Sequence, residues 1–129
     1  MDYVIIVVVL ALVQYIAFGI LVGRARAKYN VPAPASSGDP TFERYWRVHQ
    51  NTLEQLAVFL PAIFLYSYLG SPMIAAGLGV VYLIGRFIYL RSYLADPASR
   101  GTGFALTALP SMFMLLASLF IVVRNLVTG

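Results

Sequence analysis

The chain has 129 residues, 60% hydrophobic and 11% charged, with nine basic and five acidic side chains giving a net charge of +4. A soluble domain carries about a quarter of its residues charged, so this balance excludes a water-soluble fold and points to one integral membrane domain spanning residues 1–129. With no cysteine and a single histidine, disulfides, cysteine nucleophiles and thiolate or paired-histidine zinc sites are ruled out, and no metal is expected.

In chain order, Val4 to Val22 is a near-continuous apolar run broken only by Gln14 and Tyr15. About 20 such residues cross a bilayer, so the run reads as the first transmembrane helix. A cleaved signal peptide is disfavoured, because Asp2 precedes the run and its apolar stretch is too long. Arg24, Arg26 and Lys28 complement the dipole at its C-terminal end. The following loop, Gly23 to Thr41, contains PAPASSGDP, which cannot continue a helix, and offers Asp39 or Thr41 as a cap.

The second helix is expected over about 42–69, kinked at Pro61, with a tight uncharged turn at Gly70, Ser71 and Pro72. The third is expected over about 72–94, where Ala75, Ala76, Gly77 and Gly79 permit close packing. A short loop from Asp96 to Gly103 leads to the fourth, about 104–127, apolar throughout with a kink expected at Pro110. The fold class is therefore all-α, a four-helix membrane bundle. The first loop and its flanks hold five Lys or Arg residues, while the turn at Gly70 holds none. The first and third loops should be cytoplasmic and both termini on the opposite side. Basic residues near segment ends suit orientation and anionic ligands, not a nucleic-acid surface.

The second helix is unlike the others because its first half, FERYWRVHQNTLEQLAVFLP, is polar. At 100° per residue Glu43, Arg47, Gln50 and Glu54 fall on one stripe, with Asn51 at its edge. On the third helix Tyr82, Arg86, Tyr89 and Tyr93 are spaced by four, three and four residues, forming a second stripe. Arg26 and Arg100 lie at a similar depth. Polar groups within a membrane are costly and normally mark a site. Arginines bind carboxylates bidentately, a glutamate takes an ammonium, asparagine reads an amide and tyrosine hydroxyls donate to sulfur or oxygen. A zwitterionic peptide with excess negative charge satisfies that set. The plainer reading makes Glu43–Arg47 and Arg47–Glu54 structural ion pairs and leaves Tyr29, Tyr45 and Trp46 as interface anchors.

FERYWRVHQNTLEQLAVFLP followed by VYLIGRFIYLRSYLADPASRG resembles the MAPEG family of membrane glutathione transferases, leukotriene-C and prostaglandin-E synthases and the lipoxygenase-activating protein. The short chain suits a bacterial member. The resemblance implies a homotrimer with glutathione sites between neighbouring subunits, near the cytoplasmic face. It implies that Arg26, Arg47, His49, Asn51, Glu54, Arg86, Tyr89 and Tyr93 bind glutathione and that Arg100 stabilises its thiolate. It also implies that the helix-three tyrosines and Arg100 meet helix two from a neighbouring subunit.

The expected activity is glutathione transfer to hydrophobic electrophiles, or reduction of lipid hydroperoxides, in detoxification or eicosanoid-like metabolism. The apolar co-substrate would enter laterally from the bilayer. Ala27 and Gly101 depart from the leukotriene-C and prostaglandin-E synthase patterns, and Gln55 replaces a tyrosine found in some members. The alternatives are a non-catalytic lipid-binding scaffold like the lipoxygenase-activating protein, use of another low-molecular thiol, and a small multidrug transporter. The last is disfavoured, since helix one offers only Gln14 where a carboxylate is needed.

Overall fold

The computed structural model describes residues 1–129. Apolar runs and their capping residues give four helices, α1 (Asp2–Tyr29), α2 (Pro40–Leu69), α3 (Pro72–Ala95) and α4 (Gly101–Thr128), with one 3-10 turn at Pro97–Ser99. Each is long and apolar enough to cross a membrane. The bundle is all-α, as the sequence leads one to expect.

The ends differ from expectation in instructive ways. α1 does not stop near Val22 but continues through its basic turns to Tyr29. Arginine, alanine and lysine are good helix formers, so the chain leaves the bilayer before it leaves the helix. Asn30 ends it in the left-handed conformation (φ 57, ψ 47), which asparagine tolerates. α2 begins at Pro40, because the Asp39 carboxylate accepts the Thr41 and Phe42 N–H groups, both at 2.9 Å. The Ser71 hydroxyl caps α3 by accepting the Ile74 N–H at 3.2 Å. α2 and α4 run without interruption through Pro61 and Pro110.

α2 and α3 form the middle of the bundle, each touching both α1 and α4. Val7 and Ala11 of α1, Phe59 and Ile63 of α2, Tyr82 of α3 and Met114 of α4 meet in the central core. Phe59 and Tyr82 stack at 4.0 Å. Only 31 of 129 residues are buried, and long apolar side chains such as Val13, Ile16, Phe87 and Leu116 stay exposed. A bilayer supplies no hydrophobic drive between helices, so such side chains are at home in lipid and packing rests on close contact and polar bonds.

Glycine provides the closest contacts. A Cβ on Gly85 would lie 2.8 Å from Leu106 Cβ, and one on Gly103 would lie 2.6 Å from Tyr89 Cα. α3 and α4 therefore approach backbone to backbone at two levels, at Gly85 and at Tyr89, on either side of Arg86. Gly77, in contrast, faces open space. Gly103→Ala should lower stability in detergent by about 1–3 kcal/mol through overpacking. Gly77→Ala should be neutral or raise it by up to about 1 kcal/mol. Thermal unfolding of the two purified variants measures both, and equal losses would contradict the tight α3–α4 contact.

Candidate functional site

The two polar stripes meet near the first-loop end of the bundle around a cavity of about 560 Å³. Arg47, Asn51 and Glu54 from α2, Tyr89 and Tyr93 from α3, and Arg100 from the turn before α4 all line it. Two further residues complete the wall, Trp46 and Gln50. One chain supplies the whole set. The meeting of α2 with the α3 tyrosines and Arg100, expected across a subunit boundary, already occurs within one chain, where α2 and α3 pack directly.

The wall carries two arginines against one glutamate, a surplus of one positive charge. The side-chain hydrogen bonds of the chain leave Arg47 and Glu54 uncommitted; Glu43 instead accepts the Gly38 N–H at 3.4 Å. The ion-pair reading of Glu43, Arg47 and Glu54 thus finds no support in the geometry, and both Arg47 and Glu54 are exposed to an incoming molecule. Arg100 donates from Nη1 to the Pro97 carbonyl at 2.8 Å, which tethers the guanidinium at the cavity rim. It also stands at the N-terminal end of α4, so the helix dipole adds positive potential there. Tyr89 and Tyr93 stack at 5.6 Å and form the α3 side of the wall.

Arg86 is not on this surface. It is fully buried beneath it, with no exposed area. Its Nε donates to Thr107 Oγ1 at 3.0 Å, and its Nη1 donates to Asn51 Oδ1 at 2.9 Å and Thr52 Oγ1 at 3.1 Å. Its guanidinium carbon sits 4.3 Å from the centre of the Tyr89 ring. The expected direct contact of Arg86 with a ligand is corrected to a supporting position. Because Asn51 Oδ1 is taken, the group Asn51 has left for a ligand is its Nδ2 donor. Arg86 Nη2 itself has no partner.

Two other expected residues lie elsewhere. His49 stacks on Tyr15 of α1 at 4.4 Å and covers Gly19, so it belongs to the α1–α2 seam. Two residues beyond Arg47, it points about 200° around α2. Arg26 donates to the Ala35 carbonyl at 2.7 Å and lies 4.8 Å over the Phe42 ring, holding the first loop. Neither lines the cavity of its own chain. Arg44 plays a related part, donating to the Leu94 carbonyl at 2.8 Å and so tying the start of α2 to the end of α3.

Sequence reasoning gave no binding role to Gln50 or Trp46 and passed over Thr52 and Thr107. Gln50 was already on the α2 stripe, three residues from Arg47 and four from Glu54, and its place there was the signal for a role in the wall. Trp46 reads as an interface anchor, and the two threonines carry no signal until Arg86 is known to point between them.

A four-helix membrane bundle with a cationic, tyrosine-walled cavity at one end is the class that fold and site define. The chain belongs to the MAPEG family, whose sequence model matches residues 4–120, and it is an integral, multi-pass membrane protein. It is 45% identical over 121 residues to an uncharacterized protein of Synechocystis sp., covering 94% of this chain and 88% of that one. It is 36% identical over 99 residues to human microsomal glutathione S-transferase 2, covering 77% and 67% of the two chains. Against prostaglandin E synthase of Macaca fascicularis it is 35% identical over 91 residues, covering 68% and 60%.

The Arg86 network makes a stability prediction distinct from any binding role. Thr107→Val removes the acceptor of the buried Nε–H and should cost about 1–3 kcal/mol in thermal unfolding. Arg100→Gln, on an exposed rim, should change stability by about 0.5 kcal/mol or less. A Thr107→Val protein as stable as the parent would show that the bond contributes nothing.

Proposed function

We propose that this protein is a membrane-bound glutathione transferase, with glutathione peroxidase activity as a companion reaction, acting on hydrophobic electrophiles or lipid hydroperoxides. Family membership and similarity to microsomal glutathione S-transferase 2 support glutathione-related chemistry. The observation that carries the finer reading is the gathering of Arg47, Asn51, Glu54, Tyr89, Tyr93 and Arg100 around one cavity of about 560 Å³, a size usual for small-molecule sites.

In this reading Arg47 takes a carboxylate of the tripeptide in a forked contact, Glu54 takes its ammonium, and Asn51 Nδ2 donates to a peptide carbonyl or carboxylate oxygen. Arg86 is a positioning residue, acting through Asn51 and Tyr89. A thiol with a pKa of about 8.5 is mostly protonated at neutral pH, and a nearby guanidinium favours the thiolate. That role goes to Arg100. The thiolate sulfur then bonds to the electrophilic carbon while the leaving group departs with its electron pair. With a hydroperoxide, two thiols are oxidised to a disulfide as the peroxide is reduced to alcohol and water.

The apolar co-substrate enters from the lipid side. The resemblance further supports a homotrimer, and the distribution of Lys and Arg supports cytoplasmic first and third loops. Arg26 and His49, which face away from this cavity in their own chain, contribute in this reading only from a neighbouring copy.

Calorimetry with glutathione on the detergent-purified protein should give saturable binding, and a conjugation assay with an aromatic halide should show turnover. Arg47→Ala and Glu54→Ala should weaken binding roughly tenfold or more. Arg100→Ala should cut kcat by roughly a hundredfold with a smaller effect on affinity. Absence of saturable binding would defeat the transferase reading, and binding without turnover would favour the non-catalytic scaffold. For sidedness, a cysteine placed at Ser37 should resist an impermeant thiol reagent in intact cells and react after lysis; labelling of intact cells would reverse the orientation.

A further inference from the structure

A second cavity at the same end of the bundle is separate from the glutathione reading. It has a volume of about 340 Å³ and lies between the last two turns of α1 and the start of α2, lined by Leu21, Arg24, Ala25, Lys28, Tyr29 and Tyr45. It shares no residue with the cavity lined by Arg47 and Arg100. Its cations are also in a different state from most others at this end. Arg26, Arg44 and Arg100 each spend a guanidinium N–H on a backbone carbonyl, and Arg86 is buried. Arg24 and Lys28, one turn apart on α1, donate no hydrogen bond within the chain, and Lys28 only overhangs the Tyr29 ring at 5.5 Å.

No carboxylate lines this cavity, so nothing in it neutralises the pair. Two uncommitted cations beside two phenols make a site for an oxyanion. Depth then selects the kind of oxyanion. The apolar run of α1 ends at Val22, and Arg24 is the first charged side chain after it. The floor, Leu21 and Ala25, is apolar. Below Arg24, at steps of seven, seven and four residues, Ala17, Leu10 and Ile6 continue the same face of α1, and all three are exposed. An apolar track that ends under a pair of cations, at the level where tyrosines sit between lipid and water, matches an amphiphile with an anionic head.

We propose that this cavity seats the phosphate of an anionic glycerophospholipid, with Arg24 and Lys28 on the phosphate, the tyrosines beside it, and the acyl chains lying along α1. The lipid would hold the protruding end of α1 at a fixed depth in the interface.

The test uses the full-length protein reconstituted in bilayers of phosphatidylcholine with a minor share of phosphatidylglycerol, then released and weighed by native mass spectrometry. Phosphatidylglycerol should be retained in preference to phosphatidylcholine. The double variant Arg24→Gln/Lys28→Gln should lower its retention roughly tenfold or more. The charge-preserving pair Arg24→Lys/Lys28→Arg should retain it, and so should Arg91→Gln, which removes an exposed cation from α3. Glycerol phosphate without acyl chains should fail to displace the lipid, as should glutathione. Equal retention of both lipids, or an equal loss in Arg91→Gln, would overturn the site. Displacement by glycerol phosphate would make it a soluble-phosphate site, and displacement by glutathione would merge it with the thiol site; either result refutes the proposal. Because phosphatidylglycerol retention is read without glutathione, it holds or fails independently of the transferase reading.

Discussion

The Arg86 guanidinium is the point on which the bundle turns. It is buried in the middle of three helices, and no carboxylate accompanies it; a hydroxyl from α2, a hydroxyl from α4 and an amide from α2 solvate it instead. A buried charge without partners is very costly, so this fan of dipoles can hold only one arrangement of α2, α3 and α4. The glycine contacts at Gly85 and Gly103 are the steric half of the same constraint, since they bring α4 near enough for Thr107 to reach. The cavity inherits its geometry from this interior. Asn51 is turned by Arg86, and Tyr89 is seated on it.

Five of the arginines at this end of the bundle divide into three kinds that share one charge and little else. Arg26 and Arg44 satisfy backbone carbonyls, at the first loop and at the end of α3. Arg86 is interior solvent for its neighbours. Arg47 and Arg100 face a cavity with a surplus of one positive charge. Electrostatic potential at the cavity is therefore supplied by residues that cost little to expose, while the costly burial falls to a residue beneath the cavity wall. That separation lets the site change its anion preference without disturbing the bundle.

Four helices were legible in the sequence because hydropathy over about 20 residues is a long and redundant signal. The α2 stripe was legible for a related reason, since helical periodicity alone puts Arg47, Asn51 and Glu54 on neighbouring faces. Periodicity says nothing about which neighbour a face meets. Arg86 and Tyr89 share the α3 stripe, yet one is buried beneath the cavity and the other forms its wall, because the close contact at Gly85 brings Thr107 of α4 onto the Arg86 guanidinium. Periodicity did not show that His49 packs on Tyr15 and Gly19 of α1, away from the cavity of its own chain. The bonds of Arg26 were hidden too, because its partners, the Val31 and Ala35 carbonyls, belong to a loop whose path periodicity cannot describe. The continuation of α1 to Tyr29 was hidden by its charge: hydropathy marks where a helix leaves lipid, not where it ends.

The missing carboxylate partner of Arg86 also constrains how the chain is made. Arg86 lies nine residues before the end of α3, about 14 Å along the helix axis, so it enters the hydrocarbon region whenever α3 does. An arginine deep in a membrane helix raises the insertion free energy by about 2.5–3.5 kcal/mol. Two of its acceptors, Asn51 and Thr52, have already been synthesised when α3 emerges, but the third, Thr107, belongs to the last helix. During biogenesis α3 must therefore wait beside α2, partly solvated, until α4 arrives to complete its coordination. A chain truncated after the third helix would present the translocation machinery with an arginine it has little reason to release into lipid.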